Sequence, residues 1–412
     1  MSGLNFLNKL LDGVDVEWLS LGELGDFIRG NGLQKKDFVE SGFPAIHYGQ
    51  IYTRYGLSAD KTFTYVLPEL ANKLRKAQKN DLLLATTSEN DEDVVKPLAW
   101  LGDNVAISGD MMLFRHEQNV KYLAYFFQSE IFQTQKMKYI TGAKVRRVSS
   151  GDLSKIKIPI PCSNNPKKSL AIQSEIVRIL DKFTALTAEL TAELTAELNM
   201  RKKQYNYYRD QLLSFKEGEV EWKTLGEVAQ YSKTRISFEL LDERNYVGVD
   251  NLLQNRAGKS LSNHVPTSGK LTEFIPNDIL IGNIRPYLKK IWQADCIGGT
   301  NGDVLVIRCI DSSINTRYLY QILADDKFFE YNMQHAKGAK MPRGSKEDIM
   351  KYPIPVPPLT LQARIVEILN KFDTLTNSIT EGLPREIELR QKQYEYYRDL
   401  LFSFPKPETV SN

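Results

Sequence analysis

Two stretches of the chain carry apolar side chains in steps of four and three. In the first, apolar or aromatic residues stand at 172, 176, 179, 183, 186, 190, 194, 198, 205, 208 and 212, and Arg201 is the one polar member. In the second they stand at 361, 365, 368, 372, 375, 379, 383, 387, 394, 397 and 401, with Arg390 in the matching place. Such steps return to one side of a helix, so both stretches predict long helices with a coiled-coil seam. Between Thr187 and Leu198 the sequence reads Thr-Ala-Glu-Leu three times; all steps there are four, and the stripe drifts around the helix. Gly382 and Pro384 predict a kink or break in the second helix.

The remaining regions, about 13–161 and 217–357, alternate short β-branched and aromatic runs with Gly, Pro, Asn and Asp, the pattern of strands and turns. Leu82–Ala85 and Ile279–Gly282 are candidate strands, each just after Asn-Asp. Met111–Arg115 and Val304–Arg308 form another pair, and each precedes a helix-like stretch, 120–132 and 315–329. Each globule is expected to be α+β.

These pairings belong to an internal duplication. Val16-Glu17-Trp18-Leu19-Ser20-Leu21-Gly22-Glu23 is echoed by Val220-Glu221-Trp222-Lys223-Thr224-Leu225-Gly226-Glu227. Gly142-Ala143-Lys144 returns as Gly338-Ala339-Lys340, and Ile158-Pro159-Ile160-Pro161 as Ile354-Pro355-Val356-Pro357. Ile176 to Phe183 returns at Ile365 to Phe372, and Gln204-Tyr205-Asn206-Tyr207-Tyr208-Arg209-Asp210 at Gln393-Tyr394-Glu395-Tyr396-Tyr397-Arg398-Asp399. The organisation is therefore a first globule over 1–161, a helical region over 162–216, a second globule over 217–357, a second helical region over 358–404 and a tail over 405–412. Matching seams predict that the helices pack antiparallel, with a pseudo-twofold relation between the halves.

The helices match closely and the globules only at landmarks. A fixed frame carrying two related but different heads suits an asymmetric, two-part target. Net charge is only +3, so the cations matter by position. Lys136, Lys138, Lys144, Arg146, Arg147, Lys155 and Lys157 face one acid, Asp152, in the first head; Lys337, Lys340, Arg343 and Lys346 hold the equivalent place in the second. Arg285, Tyr287, Lys289 and Lys290 form a further basic loop. Arg and Lys on Gly-containing turns suit phosphates and guanine edges. The expected DNA-binding residues are Lys144, Arg146, Arg147, Arg285, Tyr287, Lys289, Lys290, Lys340 and Arg343. Tyr207, Arg209, Tyr396 and Arg398 lie off the helical stripe and are candidate partner contacts. Thr187, Leu190, Leu194 and Leu198 mark the repeat as a spacer.

Catalytic patterns are scarce. There is no GxxxxGK[ST] loop and no HExxH. Asn283-Ile284-Arg285-Pro286-Tyr287 departs from the Asn-Pro-Pro-Tyr of adenine methyltransferases by Arg285 and the intervening Ile284. The glycine-rich Ile297–Gly302 has no long helix directly after it and reads as a turn. The histidines, His47, His116, His264 and His335, are far apart, and Cys162, Cys296 and Cys309 form no CxxC pair, so no metal site is expected. No run of 18 apolar residues is present, and Met1–Asp12 lacks the signature of a signal peptide; a cytoplasmic protein is expected.

Gly-Ala-Lys leading to Ile-Pro-Ile-Pro, then Ile172-Gln173 or Leu361-Gln362, then Ile-Val-x-Ile-Leu-x-Lys-Phe, twice over, resembles the specificity subunits of type I restriction-modification systems across essentially the whole chain. The Thr-Ala-Glu-Leu repeat resembles the subclass with a repeat-bearing central helix. The resemblance implies two target recognition domains, each reading half of a split double-stranded DNA site. It implies helices that hold these domains apart and bind two modification (methyltransferase) subunits, which two restriction (translocase/endonuclease) subunits join. It implies no catalysis and no cofactor in this chain: S-adenosylmethionine, ATP and Mg are expected on the partners. The alternatives are a stand-alone methyltransferase or nuclease, and a coiled-coil scaffold that binds no DNA.

Overall fold

A computed structural model describes residues 9–404 except Asp12, Glu217 and Ile379. The expected tail and the stripe position at Ile379 lie outside the described residues. The chain divides into two compact units, 1–189 with 391–412, and 190–390. Each unit therefore takes helix from both helical regions.

In the first unit a five-stranded sheet runs in the order Gly25–Arg29, Met111–His116, Leu82–Ala85, Lys96–Trp100, Ser58–Ala59. A four-stranded sheet holds Thr64–Val66, Phe43–Ile46, Val105–Ile107 and Lys76–Ala77. The second unit repeats the plan with two four-stranded sheets. One runs Ala229–Tyr231, Val304–Cys309, Ile279–Gly282, Ile291–Gln293; the other runs Arg235–Ser237, Lys270–Phe274, Gly298–Thr300, Tyr246–Val247. Both units are α+β. The strands Leu82–Ala85 and Ile279–Gly282 are buried along their whole length. Each follows a turn in which Asn80 or Asn277 takes a left-handed conformation, which Asn tolerates well. The next residue, Asp81 or Asp278, pairs with an arginine of the neighbouring strand, Arg115 or Arg308.

The duplicated motifs take matching structural roles. Val16–Ser20 pairs antiparallel with Lys157–Pro161, and Glu221–Thr224 with Pro353–Val356. The prolines sit there because these strands pair on one side only. Ser20 with Glu23, and Thr224 with Glu227, close capping boxes on the short helices that follow. The helical stretches expected at 120–132 and 315–329 are each two helices: Val120–Gln128 and Glu130–Met137, then Thr316–Leu323 and Asp326–Gln334. Ser129 and Asp325 cap the second helix of each pair and so set the breaks.

The central helix runs unbroken from Pro166 to Leu213. The second region is two helices, Leu359–Asn377 and Gly382–Leu400, parted where Gly382 takes φ +79°. The seam is less buried than its periodicity predicts: Leu186, Tyr208, Leu361 and Tyr397 are exposed. Gln173, Val177 and Leu180, off the predicted stripe, are buried instead, because the head of the first unit claims that face. Leu401, Phe402 and Phe404 complete the first unit's core, and Tyr205, Leu212, Leu213 and Phe215 pack on the second unit's.

Candidate nucleic-acid interface

In the second unit, strand Ile279–Gly282 opens into a loop, Asn283–Lys290, before returning as Ile291–Gln293. Helix Asp326–Gln334 leads into the hairpin of Lys337–Arg343, closed by the Lys337–Arg343 bridge. The two segments are joined: Ile284 bridges to Arg343, and the Arg285 N–H donates to the Pro342 carbonyl at 2.7 Å. Two basic patches that are far apart in the sequence thus form one surface, presenting Arg285, Tyr287, Lys337, Lys340 and Arg343. Tyr287 is 50% exposed. Arg343 is steadied by Asp303 at 2.6 Å.

Beneath this surface Gly344 closes over Asn283 and Asn332; a Cβ there would lie 2.2 Å from Asn332 Oδ1. Asn283 is buried at the junction of strand Ile279–Gly282 and its loop. Two of the nine expected contacts change role. Lys290 is buried and donates to the Val249 carbonyl, and burial pulls its pKa down; it is a structural residue, unavailable to DNA. Lys289 is half-buried and held by Asp326 at 2.7 Å.

The first unit builds the same convergence. Strand Leu82–Ala85 opens into residues 86–95, and helix Glu130–Met137 leads into the hairpin closed by Thr141 and Arg147. Arg146 and Arg147 pair antiparallel with Ser88 and Thr87. Lys144 and Arg147 are exposed. Arg146 is half-buried: its Nε pairs with Asp91 at 2.8 Å and its Nη1 donates to the Gly142 carbonyl at 2.6 Å. The strand-following loop is acidic here, with Glu89, Asp91, Glu92 and Asp93, where the second unit is basic. Lys136, counted in the sequence among the basic residues of this head, is wholly buried. Its Nζ donates to the Glu92 and Val94 carbonyls at 2.8 and 3.0 Å, propping that loop. Burial lowers its pKa to about 8, against the raising influence of Asp93, Asp91 and Glu92. Counted from the caps Ser129 and Asp325, Asn332 holds the matching position in the second unit.

Away from these surfaces, Tyr207 and Tyr396 are 60% and 63% exposed, one in each unit. Their neighbours are not equally free. Arg209 is buried, its guanidinium 4.1 Å above the Tyr205 ring and bonded to the Ala324 carbonyl, so this expected partner contact is instead a core residue. Arg398 is half-buried, paired with Asp399 and lying over Tyr394. The spacer positions Thr187, Leu190, Leu194 and Leu198 are half-buried on the central helix.

Gln173 and Gln362 stand out in the sequence only as part of a repeated motif, with no role attached. Both are buried, and each accepts from the backbone N–H of a helix-capping asparagine, Asn119 at 2.9 Å and Asn315 at 2.8 Å. The repeated apolar-Gln dipeptide was their signal. Among the described residues no group of three or more His, Cys, Asp or Glu could hold a metal ion, and no helix is long and apolar enough to cross a membrane.

The type I restriction modification DNA specificity domain matches residues 13–200 and again 217–389. The chain is 42% identical over 427 residues to the Type I restriction enzyme EcoR124I/EcoR124II specificity subunit of Escherichia coli, covering all of both chains. It is 34% identical to the EcoprrI specificity subunit of Escherichia coli, over 92% of this chain and 93% of that one. A solved chain from work on complex assembly and conformational transition of the type I R-M system is alike in fold: TM-score 0.60, 16% identity, 94% of this chain and 97% of that one. Two copies of one domain, matched in sequence and built on one plan, account for nearly the whole molecule: the chain belongs to the family of type I restriction-modification specificity subunits.

Proposed function

We propose that the chain is the DNA-reading subunit of a type I restriction-modification complex, each unit reading one half of an asymmetric, two-part site. The observation that carries this reading is the repeated convergence of a strand-following loop and a basic hairpin, with the loop acidic in one unit and basic in the other. A shared scaffold fixes the approach to the duplex, and differing loops read different base edges. Exposed Lys144, Arg147, Lys340 and Arg343 supply backbone contacts, whose counterion release dominates affinity. The chain itself catalyses nothing. Two modification subunits, with S-adenosylmethionine, dock on the helical regions around Tyr207 and Tyr396, and two restriction subunits, with ATP and Mg, join them. The Thr-Ala-Glu-Leu repeat sets the gap between half-sites and places the chain in the repeat-bearing subclass.

The test is to produce the chain with its modification subunits and read methylated adenines across a genome. A split, asymmetric motif that disappears without this chain is expected. A motif unaltered by replacing residues 283–290 and 337–344 would overturn the assignment of the second half-site to the second unit.

A further inference from the structure

The loop Asn283–Lys290 is built with unusual rigidity. Four non-glycine residues meeting there, Asn255, Arg256, Arg285 and Lys289, take left-handed backbone conformations at φ +55°, +65°, +54° and +51°. Such residues cost energy and persist only where the surroundings fix them. Here the fixing contacts are visible. Asn255 N–H donates to the Leu288 carbonyl and Arg256 N–H to the Lys289 carbonyl; Arg285 N–H donates to Pro342 and Leu288 N–H to Arg285. Pro286 is buried and starts the single 3-10 turn.

Nearly every cation of this cluster is spent on holding it. Arg256 and Lys289 both pair with Asp326, Arg256 also bonds the Ala324 carbonyl, and Lys290 is buried against Val249. Arg285 is the exception. Its side chain is exposed and makes no ion pair or hydrogen bond with another described residue, although its backbone is fixed on both sides. An anchored backbone under a free guanidinium aims a rigid fork at one pair of acceptors. Arg285 carries that fork on the strand-following loop, whose charge differs between the units, where base edges rather than the common phosphate backbone are to be read. Lys337 and Lys340, exposed on the joined hairpin, are point charges suited to phosphates.

We propose that Arg285 reads a guanine in the half-site bound by the second unit, donating to O6 and N7 in the major groove. This rests on the reading of the chain as a DNA-recognition subunit. The test uses the chain assembled with its modification subunits. Duplexes carry the motif found for that complex, with 7-deazaguanine replacing each guanine of the second half-site in turn. Removing one acceptor of a bidentate pair is expected to weaken wild-type binding about tenfold at one position. Arg285→Lys keeps the charge and Arg285→Asn suits the left-handed turn. Arg285→Asn is expected to bind the guanine and 7-deazaguanine duplexes equally at that position, and Arg285→Lys, which keeps a donor but not the fork, to discriminate less than the wild type; both should still discriminate at the first half-site. Discrimination unchanged in both variants would overturn the proposal, as would a second half-site without guanine. Uniformly weaker binding to every sequence, with a smaller salt slope, would make Arg285 a phosphate contact and overturn it also. A wild-type complex with no specific motif would remove the broader reading itself, a distinguishable failure.

Discussion

Phe183 stacks on Tyr397 with ring centroids 5.2 Å apart and planes 6° from parallel. The duplication makes Phe372 the counterpart of Phe183 and Tyr208 that of Tyr397, and in the second unit Phe372 stacks on Tyr208 at 5.4 Å. The start of each helical region is thus met by the end of the other. In the first unit Thr184 also meets Tyr394, so rising positions on one segment meet falling positions on the other, and the two run antiparallel there. The stack is expected to be cooperative. Phe183→Leu and Tyr397→Leu in a double-mutant cycle should show a coupling of about 0.5–1.5 kcal/mol. Denaturant unfolding followed through Trp18 and Trp100, with Trp222 and Trp292 changed to Phe, isolates the first unit; strictly additive losses would count against the pairing.

The cations on the two recognition surfaces should separate by role. Lys144, Arg146 and Arg147 changed together to Ala should weaken specific binding and reduce the slope of log K against log salt by about 1–2, since each phosphate contact contributes roughly 0.9 and Arg146 is already tied to Asp91. Lys340 with Arg343 should behave alike. Lys290→Ala should leave the slope unchanged and destabilise the second unit, because its ammonium serves the Val249 carbonyl. Salt titrations of binding decide the matter: a flattened slope for Lys290→Ala alone would reverse the assignment.

Tyr207 and Tyr396 are expected to anchor modification subunits. Ala at either should cost more than about 1 kcal/mol of association while unfolding of the chain stays as in the wild type. Arg209→Ala should do the opposite and lower stability, since its stacked, buried guanidinium packs the second unit. Quantitative copurification beside a thermal melt distinguishes the two, and undiminished partner binding by the Tyr207→Ala, Tyr396→Ala double variant would rule out this docking surface.

Lys136 should give the first unit a characteristic pH dependence. Its folded pKa, about 8, lies below the roughly 10.4 of an unfolded lysine. Between those values the unfolded chain holds a proton that the folded chain has released, so stability rises with pH across the window, and the cost of burying the charge is fully present below it. Lys136→Met should remove this rise. Stability of the first unit measured from pH 7.5 to 10.5 checks it; identical profiles in the two proteins would show that Lys136 does not titrate in this range.

Deleting Thr195–Leu198 removes one repeat from an unbroken helix. Four residues amount to about 6 Å of length and about 40° of rotation. A base pair of B-DNA rises about 3.4 Å and turns roughly 35°. Rotation is the stricter condition, because a head turned away misses its groove, so the gap between half-sites should shorten by one base pair with both half-site sequences unchanged. Genome-wide methylation mapping reads the outcome directly. An unchanged gap in an active variant would refute the spacer role, and altered half-site bases would refute the division of labour between heads and helices.

The duplication, the α+β character of both heads, the long central helix and the break at Gly382 were all legible in the chain, because they rest on periodicity, local capping and backbone freedom that neighbouring residues settle among themselves. The basic hairpins could also be located, since glycine and clustered cations mark them. What only the tertiary structure decided is which charges remain available. Lys136 and Lys290 look like their exposed neighbours in sequence, yet each lies inward where backbone carbonyls replace water, because the loops they support arrive from distant strands. Arg209, on a helix face that periodicity left open, is covered by the second head. Conversely, Arg285 and the hairpin carrying Lys340 join through the Arg285–Pro342 hydrogen bond, a contact across more than fifty residues that no local pattern encodes. Local spacing fixes which elements form; burial and charge pairing depend on what packs against them, and that is a property of the whole fold.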